Sequence, residues 1–195
     1  MRRFNLFAVL ALVAGVAQGT SYELDAAHSG AGFAVTHMTV SKVRGTFNSI
    51  SGTAEIDEEN LAASTIRVVV DAASIDTGVE RRDEHLRSGD FLDVENHPEI
   101  TFQSTSMEAI GDTELEVTGD LTIRGNSRQV TFPVTVLGPI AESQGGQRMG
   151  VEGELTIDRH DFGVSWSRLL DSGGLVVGDE VQIEVTAELV SEGAE

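Results

Sequence analysis

After Gly19 the chain alternates apolar and polar residues along most of its length, the two-residue period of strands that bury one face. Ala31, Phe33, Val35 and His37 share a face of the segment from Ala31 to His37, and Ile66, Val68 and Val70 repeat the pattern among Thr65, Arg67 and Asp71. Shorter stretches follow at Ile100 and Phe102, at Leu115 and Val117, and at Leu121 and Ile123. Three longer runs complete the pattern. They are Val130, Phe132, Val134 and Val136; Met149, Val151, Gly153, Leu155 and Ile157; and Val181, Ile183, Val185, Ala187 and Leu189. Together these segments predict about eight strands, each apolar on one side and polar on the other.

Turn-forming residues separate the segments at Asp57-Glu58-Glu59-Asn60, Gly111-Asp112, Gly125-Asn126-Ser127, Gly145-Gly146 and Gly173-Gly174. Links this short join antiparallel neighbours, and such a sheet hides its apolar face by closing on itself or by packing on a second sheet. Aromatic residues are only 5% of the chain, few for a sandwich core, and no strand reads as buried on both faces. The expected fold is all-β, an eight-stranded antiparallel barrel. One segment departs from the strand pattern. Thr77 and Glu80 have capping-box spacing, they open the charged stretch Glu80 to Ser88, and Gly89 supplies a stop. This predicts one short helix packed across an end of the barrel by Val79 and Leu86.

The N-terminus adds a different element. Arg2 and Arg3 precede an apolar run from Phe4 to Val16, and Ala17-Gln18-Gly19 offers small residues for cleavage. The run is about 13 residues, too short for a helix to cross a bilayer core of about 30 Å. Residues 1–19 are therefore expected to be a cleaved secretory signal peptide, and residues 20–195 a periplasmic domain. The 195 residues include no cysteine, which excludes disulfides, thiol chemistry and Cys-ligated metals. Charge narrows the partners. The chain carries 13 basic and 32 acidic residues for a net −19, and loss of Arg2 and Arg3 makes it two units more negative. Such a surface repels phosphate backbones and anionic headgroups, so neither nucleic acid binding, direct membrane docking nor stable membrane insertion is expected.

Candidate chemistry is sparse. His28, His37, His85, His97 and His160 lie on separate segments without metal-ligand spacing, so no metal site is expected. His37 shares the apolar face of Phe33 and Val35, where a buried imidazole needs a partner. No Gly-x-Ser-x-Gly or glycine-rich phosphate loop is present. Asp158-Arg159-His160-Asp161 and Arg82-Asp83-Glu84-His85 are dense polar clusters that read as ion pairs fastening loops. An eight-stranded barrel either fills itself or holds one small ligand. A lumen lined by Val, Ala, Ile, Leu and Phe suits a long apolar chain, and composition leaves both outcomes open.

Seven stretches carry a more specific resemblance: YELDAAHSGAGFAVTH, VRGTF, ASIDTG, RRDEHLRSGDFLDVENHPEITFQS, GDLTIRG, RHDFGV and VGDEVQIEV, which run in order from Tyr22 to Val190. Together they resemble the YceI-like, polyisoprenoid-binding family. The resemblance implies a lipocalin-like barrel with a short capping helix and a pore for a polyisoprenoid or another long-chain lipid, such as a quinone, prenyl phosphate or fatty amide. It carries over Asp25, His28, Gly45, Asp76, Arg82, Asp83, His85, Leu86, Phe91, Pro98, Gly119, Arg159 and Gly163 as motif positions. Within it Asp83 and Arg159 resemble loop-fastening ions and Gly163 a special turn, while Arg124 stands where relatives often have His. The ligand-binding residues expected are Phe33, Val35, His37, Phe47, Val68, Val70, Phe102, Leu121, Phe132, Val134, Phe162 and Trp166. The expectation is a binding or carrier protein with no cofactor and no catalysis. The alternative is an enzyme or electron-transfer accessory acting on an isoprenoid quinone through His37 or the Asp158–Asp161 cluster. Whether the chain works alone or as a homodimer is left open by the sequence.

Overall fold

The structure is a computed structural model that describes residues 19–143, 145–169 and 175–192. Its strands are β1 (Thr20–Leu24), β2 (Gly30–His37), β3 (Ser41–Phe47), β4 (Ile50–Ile56), β5 (Thr65–Asp71) and β6 (Ile75–Asp76), then β7 (Glu99–Ala109), β8 (Glu114–Ile123), β9 (Asn126–Ala141), β10 (Gln147–Asp158) and β11 (Val177–Ser191). The α-helix α1 spans Glu80–Arg87, and a 3₁₀ turn covers Arg159–Phe162. Strands β1, β4, β5, β7, β8, β9, β10 and β11 form an antiparallel ring, closed where Glu23 pairs with Val190 and Leu24 with Leu189. This closed eight-stranded barrel is the fold that the alternation predicts.

The ring forks along β11. The C-terminal end of β11 meets β1, whereas the stretch from Val177 to Thr186 pairs with β2. β2 turns into β3, and only Thr46 and Phe47 of β3 find a further strand, at Asp76 and Ile75 of β6. Beside the rest of β3 the chain packs closely: a Cβ at Gly45 would come within 2.7 Å of the Thr77 methyl and 2.6 Å of the Phe33 ring.

The alternation missed β1, β3, β4 and β6 because their inward positions are small or few. Gly45 sits between Val43 and Phe47, and Gly52 and Ala54 sit between Ile50 and Ile56. The separate segments at Leu115 and Leu121 are one strand, β8. Gly119 occupies the inward position between them, because a Cβ there would lie 2.5 Å from the Phe102 ring. The turn expected at Gly125-Asn126-Ser127 falls one residue earlier. Ile123 pairs with Asn126 across Arg124 and Gly125, at φ 50 and 70, the positive values a two-residue hairpin favours.

The helix forms as expected but is held differently. Val79 is its N-cap and makes no side-chain cap bond, so the Thr77–Glu80 capping box is absent. Thr77 instead gives its backbone N–H (3.0 Å) and its hydroxyl to the buried carboxylate of Asp83. Val79 is exposed rather than packed on the barrel. Arg87 ties the far end of the helix to the carbonyls of Ala73 (2.9 Å) and Ile75 (3.0 Å). The signal peptide expected over residues 1–19 lies, except for Gly19, outside the described residues, as do the Gly173-Gly174 turn and the last three residues.

Candidate functional site

The antiparallel registers give the barrel two distinct ends. One carries α1, the Arg124–Gly125 turn, the 159–162 turn and the β2–β3 hairpin tip; the other carries the β7–β8 and β9–β10 turns. At the second end Tyr22, Ala54, Met149 and Leu189 pack as a buried cluster, with Met107 buried near by. The Tyr22 hydroxyl donates to Gln147 Oε1 at 2.8 Å, and burial holds the Tyr22 phenol above its ordinary pKa, with Glu58 adding to the effect. This layer plugs the barrel.

Above the plug lies a cavity of about 430 Å³. Its wall begins at Leu24, Ile66, Val117, Val134, Val151 and Leu189 and runs up to α1. The twelve residues expected to meet a ligand all stand on this wall: Phe33, Val35 and His37 on β2, Phe47 on β3, Val68 and Val70 on β5, Phe102 on β7, Leu121 on β8, Phe132 and Val134 on β9, with Phe162 and Trp166 after β10. Strand pleat gathers the first ten, because alternate residues of each strand point to the same side, and the turn and loop after β10 bring in Phe162 and Trp166. Phe102 and Phe132 stack edge to face at 5.6 Å, and Phe33 meets Phe47 at 5.9 Å.

At the helix end the wall turns polar and aromatic. Arg82, His85 and Leu86 of α1 reach the cavity beside Phe91, Leu92 and Trp166. The His85 ring stands edge-on to Phe91 at 5.0 Å and to Trp166 at 5.3 Å, and its Nε2 lies 2.9 Å from Asp90 Oδ2. Arg82 donates from Nε to Thr77 Oγ1 (2.7 Å) and from Nη2 to the Thr77 carbonyl (2.9 Å). The sequence reading treated Arg82 and His85 as loop ions and did not place them at the cavity. Their i, i+3 spacing on a helix, with Leu86 adjacent, is the signal that puts them on one face. His37 is half-buried at the end of β2 and makes no side-chain hydrogen bond among the described residues, so it is neither deeply buried nor partnered as the apolar face implied.

The loops that frame this end are fastened by two arginines. Arg159 is buried and donates to the carbonyls of Val164 (2.6 Å), Trp166 (2.9 Å) and Gly178 (2.8 Å), with Asp179 at 3.3 Å. Gly163 follows at φ 74, a left-handed cap that a Cβ would strain. Arg124 donates to the carbonyls of Gly89 (2.7 Å), Phe91 (3.0 Å) and Gly163 (3.0 Å). It therefore joins two loops rather than presenting free charge at a pore mouth. Asp158 accepts the His160 N–H at 2.9 Å, and His160 Nε2 lies 2.9 Å from Asp179. The Asp158–Asp161 cluster is thus occupied in holding its own turn.

A second titratable group sits at the plugged end, where β1 meets β11. His28 Nδ1 lies 2.9 Å from Asp25 Oδ2 and 4.0 Å from Glu188 Oε2. Arg148 donates to Asp25 (2.9 Å), Glu142 (2.6 Å) and Glu188. Hydrogen bonds from His28 and Arg148 hold the Asp25 carboxyl well below the ordinary carboxylate range, and the Asp25 hydrogen bond raises the His28 pKa. Asp25, His28 and Glu188 are close enough to share an ion, but the Arg148 guanidinium already lies against both carboxylates. This is an ion-pair clasp on the barrel seam.

An antiparallel barrel that is plugged at one end, helix-capped at the other and apolar between them belongs to the containers among β-folds. The chain belongs to the YceI-like family: residues 22–189 match the YceI-like domain. The protein YceI of Escherichia coli is 39% identical over 160 residues, covering 81% of this chain and 83% of that one. The crystal structure of Burkholderia cenocepacia BcnA superposes with a TM-score of 0.74 at 30% identity, over 85% of this chain and 98% of its own. A polyisoprenoid binding domain from Saccharophagus degradans shares the fold, with a TM-score of 0.68 at 17% identity over 88% of this chain and 99% of that domain. Among the described residues no helix is long and apolar enough to cross a membrane.

Proposed function

We propose that this chain is an exported, periplasmic binding or carrier protein that holds the tail of a polyisoprenoid or similar long-chain amphipathic lipid in the barrel. The observation that carries the reading is the cavity itself. It is continuous from the plug to α1, and its wall is apolar except near the helix. Its volume of about 430 Å³ falls within the roughly 300–1,000 Å³ typical of ligand pockets. Each buried methylene contributes about 0.8 kcal/mol, so an extended chain gains several kcal/mol even after ordering is subtracted.

The polar groups favour a tail-in arrangement with the headgroup at α1. His37, Arg82 and His85 are among the cavity residues that offer polar groups there, while Arg159 is committed to backbone carbonyls. Binding rather than turnover is the reading, because the described residues of the wall are overwhelmingly apolar and show no nucleophile with an adjacent base. The polyisoprenoid-binding neighbour supports the ligand class, and the basic and apolar leader at residues 1–19 supports export.

Native mass spectrometry of protein recovered from a bacterial periplasm tests the reading. The expected spectrum shows a mass increment of one lipid that organic extraction removes and added polyprenol restores. Protein that carries no lipid and takes up neither polyprenol nor quinone contradicts it.

A further inference from the structure

We propose that the barrel is a ruler: it seats one hydrocarbon tail of about 12–14 main-chain carbons, and the floor formed by Val117, Val151 and Leu189 sets that length. The inference rests on the carrier reading and adds to it the length of chain that the carrier takes. The floor is closed from behind. Tyr22, Ala54, Met107 and Met149 fill the barrel below it, and all four stand off the cavity wall. Tyr22, Ala54 and Met107 are each only 1% exposed, so no passage runs between them. The Tyr22 hydroxyl is held by Gln147, whose own N–H donates to Ser191 Oγ at 2.9 Å. A tail that enters from the α1 end therefore stops at Leu189.

Height and volume give the length separately. Val117 to Ile123 on β8 and Val151 to Ile157 on β10 both run up the cavity wall, a span of six residue steps on each strand. At about 3.4 Å per residue, with strands tilted about 40° to a barrel axis, the wall is about 15 Å tall. An extended hydrocarbon advances about 1.25 Å per carbon, the projection of one single bond, so about 12 carbons span that height. The volume of about 430 Å³ holds about 14 methylenes, each close to a water molecule's share of about 30 Å³. The agreement excludes a tail folded back on itself, which needs twice the cross-section at the same height. With the headgroup beside Arg82 and His85, a prenyl tail seats about three isoprene units at four main-chain carbons each. A longer tail leaves its remainder outside the mouth, because the floor blocks the way down.

Calorimetric titration of delipidated mature protein tests this with two series of chains. One is the saturated fatty acids from octanoate to eicosanoate; the other is geraniol, farnesol and geranylgeraniol. Wild-type binding is expected to tighten about fourfold per carbon up to about tetradecanoate, and less than about twofold per carbon beyond it. The prenols are expected to gain strongly from geraniol to farnesol and little from farnesol to geranylgeraniol. Leu189→Ala deepens the floor and should move the break outward by about two carbons. Ala187→Leu, one inward position nearer the mouth on β11, should move it inward by about two carbons. The two variants shift the break in opposite directions, so if Leu189→Ala fails to fold by circular dichroism, Ala187→Leu decides alone. Wild-type affinity that keeps rising steeply through eicosanoate overturns the ruler and leaves the carrier reading standing. So does a break that stays at the wild-type carbon in the folded variants. Protein that takes up no member of either series overturns the carrier reading, and the ruler with it.

Discussion

Arg159→Met removes a guanidinium while keeping an apolar stem of similar length, and the structure sets the size of the effect. Three backbone carbonyls, those of Val164, Trp166 and Gly178, lose their donor. A buried acceptor left unpaired costs about 1–3 kcal/mol, which gives roughly 3–6 kcal/mol for three partly shielded groups. Relief from burying a charge offsets part of this, leaving a net loss of about 3–4 kcal/mol. A chain of this size loses about 2–4 °C of Tm per kcal/mol, so thermal unfolding followed by circular dichroism should shift down by roughly 6–16 °C. The single tryptophan, Trp166, reports on the same loop, and its emission should move to longer wavelength as water enters. Arg159→Lys keeps the charge but not the fan of donors, and it should fall between the two. A shift below about 2 °C with unchanged Trp166 emission would refute the role assigned to Arg159.

Arg124→Ala should cost about 2–3 kcal/mol in a urea titration, because three carbonyls in two loops lose one shared donor; a change under about 0.5 kcal/mol contradicts this. His28→Gln should lower Tm in mildly acid solution but not in alkaline solution. The raised His28 pKa means that its contribution is complete below the ordinary 6.5 and is lost as pH rises through the folded value. Asp25 sets the acid limit, because its lowered pKa keeps the partner ionised until pH falls through that value. A Tm difference between wild type and variant that stays constant or widens toward alkaline pH is the opposing result. Val68→Trp, in the cavity wall, should reduce co-purified lipid while the far-ultraviolet spectrum stays that of the barrel; undiminished lipid would argue against the lumen as its seat.

The fold was legible where inward residues are large. β2, β5, β9, β10 and β11 each carry several branched or aromatic residues at alternate positions, and a half-buried strand has no other economical pattern. β3 and β4 were hidden because Gly45, Gly52 and Ala54 take inward positions where close approach of Phe33, Arg67 or Thr77 leaves no room. Much of the cavity wall could be read from the same alternation, which marks nine of the twelve residues singled out from sequence; Phe47 on β3 and Phe162 and Trp166 after β10 lie outside that pattern. The cap was harder to read. Arg82 and His85 reach the cavity because Asp83 and Arg87 anchor α1 to Thr77 and to the carbonyls of Ala73 and Ile75 in the segment before it, and no hydrophobic period encodes such bonds. The clasp of Asp25, His28, Arg148 and Glu188 was invisible for the same reason, since its members meet only when β1 closes on β11.

The central claim is that one long apolar chain occupies the lumen, and Trp166 is placed to read it. Delipidated protein titrated with a fatty chain brominated near its headgroup end should show saturable quenching of Trp166, complete at about one chain per protein. A label near the far end should quench less, because that end lies toward the plug of Tyr22 and Met149. Quenching that never saturates, or that is indifferent to label position, would contradict the account.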